Sequence, residues 1–239
     1  MGVKDWQLRY CDVAVTGATV EERFGRIAEE AAELGFEFCA QGMRFPLPIS
    51  RPRTSFNSNY EAAWVTRYEA QGYVAVDPTV AHGMRSSAPI VWSDALFAAA
   101  PQLWEEAQSF GLRVGWAQSR CDAEGLHSLL VLARSAEPIG ASEMKYLDVR
   151  LQWLVQASHL AMKMSSADRP AEAPRIELTV REVDVLRWTA DGKTASEIAD
   201  ILSLSERTVN FHVSTAVSKL SASNKTSAAV KATIMGLLW

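Results

Sequence analysis

Apolar positions in the first two-thirds of the chain switch between helical and strand spacing. In Val20–Leu34, the residues Val20, Phe24, Ile27, Ala31 and Leu34 recur alternately four and three apart, so they form one helix stripe that Gly35 ends. Phe36–Phe45 alternates Phe36, Phe38 and Ala40 against Glu37, Cys39 and Gln41, which predicts a strand. Ser58–Ala70 and Asp77–Met84 read as helices. Gly115–Asp122 and Leu126–Arg134 read as two strands joined at Ala123–Gly125. A long helix follows over Ser142–Met164, with Leu147, Leu151, Leu154, Ser158 and Ala161 on one line. Central strands with helices before and after them predict an α+β sandwich.

The run SSADRPAEAPRI, Ser165–Ile176, interrupts the helical pattern with two prolines, small residues and charges, as an exposed linker does. The expected division is therefore residues 1–164, a linker at 165–176, and a second domain at 177–239. No strand is visible after the linker. Thr179-Val-Arg-Glu182 is a capping box that opens a helix through Leu186 and Trp188, which Gly192 ends. Thr194-Ala-Ser-Glu197 is a second capping box, with Ile198, Ala199, Ile201 and Leu202 expected inward. Ser203-Leu204-Ser205 turns the chain, and Ser205 caps a third helix, Glu206–Leu220, with Val209, Val213, Ala216, Val217 and Leu220 as its buried stripe. A last helix is expected over Lys225–Leu238. Two short helices with a tight turn, the second polar near its N-terminus, are what a major-groove reader needs, although an ordinary solvated bundle shares the same pattern.

Composition narrows the class without naming it. The 239 residues are 48% hydrophobic and 22% charged, ordinary globular usage. No stretch approaches about 18 uninterrupted apolar residues, and the first residues carry no basic region followed by an apolar run. A cytoplasmic protein without a membrane span is expected. Cys11, Cys39 and Cys121 lie far apart and spell neither a disulfide framework nor a zinc site. The net charge of −4 is uneven: residues 201–239 hold four basic side chains (Arg207, Lys219, Lys225, Lys231) against Glu206 alone. That local field permits DNA binding at the C-terminal end.

The string GKTASEIADILSLSERTVNFHVSTAVSKL, Gly192–Leu220, closely resembles the DNA-binding domain of the LuxR family of bacterial transcription regulators. The resemblance implies a four-helix helix-turn-helix domain. Thr194, Arg207, Thr208 and Lys219 are the candidate phosphate donors. Asn210, Phe211 and Ser214 take the groove-facing positions, where Asn can pair with adenine and Phe can touch a thymine methyl. His212 has no second ligand four residues away and is read as a packing residue. The face Ala228, Ala229, Ala232, Met235 and Gly236 suits close pairing with a second copy, and a symmetric dimer reads an inverted repeat.

In the N-terminal part, Tyr60, Trp64 and Tyr68 recur every four residues on one helix face. Such a stripe is more often core than a ligand site, but buried hydroxyls and indole N–H groups need partners. Asp77 precedes Pro78 in the manner of a helix cap, and Trp92 and Gly115 follow. Trp64, Tyr68, Asp77, Pro78, Trp92 and Gly115 together resemble the acyl-homoserine-lactone-binding domain of the quorum-sensing LuxR proteins. The resemblance implies a five-stranded antiparallel sheet with helices on both faces and a ligand between sheet and helices. Trp64 then donates to a lactone carbonyl, Tyr68 to an amide carbonyl, and Asp77 accepts the amide N–H. Thr79 and Ser128 add hydroxyls, and Trp92, Trp104 and Tyr60 supply flat walls.

Other classes fit less well. The sequence has no G-x-S-x-G, H-x-H-x-D or H-E-x-x-H, and its four histidines (His82, His127, His159, His212) are scattered, so neither catalysis nor a metal or other cofactor is expected. Asp5 and Asp12 do not sit as the acidic residues of a phosphorylated receiver do. The expectation is a non-enzymatic regulator with an N-acyl-homoserine lactone, double-stranded DNA, a second copy and, for an activator, RNA polymerase as partners. The alternative is a LuxR-type protein that answers to a different small molecule or to none.

Overall fold

The computed structural model describes residues 5–15, 19–165 and 176–239. The expected linker lies almost wholly outside them. The chain divides into two compact units. The first contains helices α1 (Asp5–Val15) and α2 (Val20–Glu33), strands β1 (Phe38–Arg44) and β2 (Thr54–Ser58), helices α3 (Ala62–Ala70) and α4 (Pro78–Gly83), strand β3 (Ile90–Val91), helices α5 (Asp94–Phe97) and α6 (Pro101–Ser109), strands β4 (Val114–Cys121) and β5 (His127–Arg134), and helix α7 (Ala141–Ser165). The five strands form one antiparallel sheet in the order β2-β1-β5-β4-β3.

Side chains alternate between the two faces of this sheet. Cys39, Gln41, Trp116, Leu130 and Leu132 are buried on the side that meets α7, where Leu151 and Leu154 oppose them. Helices α1 and α2 pack on α7 there. Arg134 on β5 clamps Glu143 on α7 through two bonds of 2.8 and 2.9 Å. The other face carries Ala40, Gly42, Ser119, Leu129 and Val131 beneath α3 and α4.

Several expected elements shift. Ser58 ends β2 rather than opening a helix, because Asn59 ties down the connection: its Oδ1 accepts from the Cys39 N–H at 2.7 Å and its Nδ2 donates to the Glu37 carbonyl at 3.0 Å. The helix therefore begins at Ala62. α1, β2, β3, α5 and α6 are elements that the sequence reading missed.

The second unit holds α8 (Val180–Ala190), α9 (Ala195–Leu202), α10 (Glu206–Lys219) and α11 (Lys225–Ile234). Both predicted capping boxes are formed, at Thr179/Glu182 and Thr194/Glu197. Val209, Ala216 and Leu220 are buried as expected. Ile201 is not: with Ile198, Ala199 and Leu202 defining the inward stripe of so short a helix, Ile201 falls on its flank and is 44% exposed. α11 stops at Ile234, and the chain turns at Gly236 with φ +68°. The small-residue face of α11 packs inward: Ala228, Ala229 and Ala232 are buried against Leu186, Ala216 and Leu220. Those three alanines are taken up by the unit's own core, while Met235 and Gly236 of the expected pairing face stay half-buried.

Candidate functional site

Between the sheet and α3–α4 lies a cavity of about 650 Å³. Tyr60, Trp64, Tyr68, Asp77, Thr79, Trp92 and Ser128 line it, seven of the eight predicted ligand residues. The rest of the wall is largely apolar, including Val80, Phe97, Leu103, Leu129 and Val131. A mostly apolar hollow with a few convergent polar groups is the normal form of a small-molecule site.

The helix face explains the convergence. Trp64 and Tyr68 sit one turn apart on α3 with rings 5.8 Å apart, edge to face. Asp77 caps α4, its Oδ1 accepting the Thr79 N–H at 2.7 Å, with Pro78 as the first helical residue. Its other oxygen accepts from the Tyr68 hydroxyl at 2.8 Å. Burial raises the Asp77 carboxyl above the usual carboxylate range, partly offset by the bonds from Tyr68 and Thr79. Burial, and then the charge of Asp77, raises the Tyr68 phenol, so it stays a donor at any physiological pH. Tyr60 is raised in the same way, first by burial.

Trp92 rests directly on Gly115, where a Cβ would lie inside the indole ring. Across the sheet end, Trp92 meets Phe97 and Trp104 edge to face at 5.7 and 6.0 Å. α3 is fastened to α6 by Arg67, which grips Glu106 at 2.6 and 2.7 Å and holds that carboxyl down at about 2.

One predicted ligand residue lies outside the lining, and the hydroxyl of another is already engaged. Trp104 stands behind the wall, stacked on Phe97 at 4.5 Å with its indole N–H given to Asp94 at 2.7 Å. Ser128 borders the cavity, but it pairs with Met43 and its hydroxyl is bonded to His159 Nδ1 on α7 at 2.7 Å. The sequence reading missed Gly42, Phe56, Leu129 and Val131 in the wall. Strand alternation carries that signal once the inward face is known. Nothing in the sequence links Arg67 to Glu106.

In the second unit, α10 presents Arg207, Asn210, Phe211 and Ser214 outward. Phe211 is 66% exposed, which excludes a core role. Thr194 holds the cap of α9, its hydroxyl 2.8 Å from Glu197 Oε2, and Thr208 shares a 2.7 Å bond with Ser205. Lys219 differs from the expectation. Its ammonium donates to Glu182 Oε2 at 2.8 Å and to the Glu177 carbonyl at 3.0 Å, so two of its three donors neutralise and fasten a buried carboxylate. His212 is half-buried beside the Phe211 ring. Among the described residues no group of His, Cys, Asp or Glu is arranged to hold a metal ion, and no helix is long and apolar enough to cross a membrane.

An α+β unit enclosing such a cavity, on one chain with a helix-turn-helix unit, defines a regulator that couples a small-molecule site to a DNA-binding surface. The comparisons with known proteins agree. Residues 19–162 match the family described as autoinducer binding domain, and residues 177–232 match bacterial regulatory proteins of the luxR family. The transcriptional activator protein AnoR of Acinetobacter nosocomialis is 42% identical over 99% of this chain and 100% of its own. The quorum-sensing regulator RhlR of Pseudomonas aeruginosa is 40% identical over 90% of this chain and 89% of its own. The structure of SdiA in complex with octanoyl-rac-glycerol has 35% identity and a TM-score of 0.77, covering 100% of this chain and 98% of that one. The chain belongs to the LuxR family of quorum-sensing transcriptional regulators, with an autoinducer-binding domain and a LuxR-type helix-turn-helix, and it is not an enzyme.

Proposed function

We propose that the cavity binds an N-acyl-homoserine lactone and that its occupancy governs binding of a homodimer to an inverted-repeat DNA site in the cytoplasm, with RNA polymerase as a further partner where the effect is activation. The observation that carries this reading is the polar end of the cavity. Trp64, Tyr68 and Asp77 offer an N–H donor, an O–H donor and a carboxylate acceptor, with apolar wall beyond them. Those three match a lactone carbonyl, an amide carbonyl and an amide N–H. Thr79 adds a hydroxyl, and Tyr60 and Trp92 enclose the head group. The single proton of Tyr68 is donated to Asp77. Ligand binding turns it to the amide carbonyl, while the ligand N–H replaces it on Asp77.

Pairing falls to α7. Its outward side carries Tyr146, Val149, Trp153, Leu160 and Met164, all exposed, at spacings that repeat as three and four about Gln156. A second copy covers such a seam. Two recognition helices then enter successive major grooves. Arg207, with Thr194 and Thr208 at the helix N-termini, meets phosphates, and Asn210, Phe211 and Ser214 meet base edges.

The test is expression of the full chain with a panel of lactones, mass spectrometry of what co-purifies, and a promoter reporter. Wild type should retain a lactone and respond, while Asp77→Asn and Trp64→Phe should need about ten- to a hundredfold more lactone. A wild-type response in both variants refutes the pocket assignment.

A further inference from the structure

Resting on that reading of the cavity, we infer that the site has an outer half: a surface groove between α2, β2 and α3 that takes the far end of the bound ligand's aliphatic chain. The groove measures about 700 Å³. Phe56, Tyr60 and Val65 line both it and the cavity, so the two spaces share one wall.

That wall is thin where a chain would meet it. Gly42 on β1 lies directly opposite Phe56 on β2 and Leu129 on β5. A Cβ on Gly42 would meet nothing within 4 Å, so the floor is bare at this point and a slot leads towards Phe56. Phe56 belongs to the edge strand of the sheet, is 50% exposed, and leans on Tyr60 at 6.4 Å. One half-exposed ring on an edge strand can swing aside without unpacking a core. On the far side, Gly25 of α2 also has nothing within 4 Å of a Cβ, which leaves the groove open beside Phe24 and Ala28. The inner passage, past Ala40, Gly42, Leu129 and Val131, is apolar and accepts methylenes rather than a polar group. Phe56 thereby becomes a gate that sets which chain lengths fit, and Gly42 the slot that leads to it.

The experiment measures affinities of the purified full chain for N-butanoyl-, N-octanoyl-, N-dodecanoyl- and N-hexadecanoyl-homoserine lactone. It compares wild type with Gly42→Leu, Phe56→Ala and Gly25→Leu, and the melting of each ligand-free variant checks its folding. Gly42→Ala replaces Gly42→Leu if the larger side chain prevents folding. Wild type should bind the hexadecanoyl lactone. Gly42→Leu should lower dodecanoyl relative to butanoyl affinity by about tenfold or more, since each misfitted methylene carries a large penalty. Gly25→Leu should weaken hexadecanoyl relative to dodecanoyl binding, and Phe56→Ala should strengthen it. A hexadecanoyl-to-dodecanoyl ratio unmoved by Gly25→Leu and Phe56→Ala overturns the outer half and leaves the head-group assignment standing. No binding of any of the four lactones overturns both.

Discussion

The Tyr68 phenol donates to Asp77 Oδ2 across 2.8 Å, so the two groups assigned to opposite ends of one amide are bonded to each other. The bond holds a buried carboxylate that lacks a cationic partner among the groups acting on it. Because burial raises its pKa, the folded state holds the Asp77 proton more tightly than the unfolded chain, whose value is about 3.9. The stability this contributes is full below that value and is lost as pH rises through the folded pKa. Ligand-free wild type should therefore lose stability relative to Asp77→Asn as pH rises from 4 towards neutrality (on the order of those limits), by melting temperature. Addition of lactone should reverse the order by stabilising wild type more. A parallel pH course for both proteins contradicts the assignment.

Gly115 makes room for the Trp92 indole, and the fit is testable directly. Gly115→Ala should displace Trp92 and destabilise the first unit by about 1–3 kcal/mol, read by denaturant unfolding. It should also weaken lactone binding, because a wall of the cavity moves. Unchanged binding with Trp92 still in place shows that the backbone yields instead.

Lys219 and Arg207 have the same charge and different tasks. Lys219→Ala leaves Glu182, 3% exposed, without its ammonium partner, and should destabilise the second unit by about 1–3 kcal/mol. Arg207→Ala should leave stability within about 0.5 kcal/mol. It should weaken binding to all DNA sequences alike and reduce the salt slope by about one. Asn210→Ala should instead change the preferred base. Equal losses on every sequence for Arg207→Ala and Asn210→Ala refute that division.

What the sequence displayed was local. Capping boxes at Thr179 and Thr194, the α7 stripe and the pairing of Trp64 with Tyr68 on α3 are each fixed by neighbours within a few residues, and the structure shows all of them, whereas Tyr60 lines the cavity from just before the helix. What it hid was pairing at a distance. The two-residue β3 exists only because Ile90 and Val91 find Ala117 and Trp116. Ser128 does border the cavity, but the sequence hid the His159 partner of its hydroxyl, 31 residues on. The bond of Lys219 to Glu182 was hidden because Glu182 lies far back in the chain. The small residues of α11 were read for a second copy, although their own core needed them.

The most direct measurement is the melting temperature and operator affinity of the full chain with and without lactone. At about a hundredfold excess over Kd, the lactone should raise the melting temperature of the autoinducer-binding unit by about 5–10 °C. Operator affinity should change in the same titration, at the same lactone concentration. A melting temperature and an operator affinity that both ignore every lactone offered, in protein shown to be folded, contradict the account.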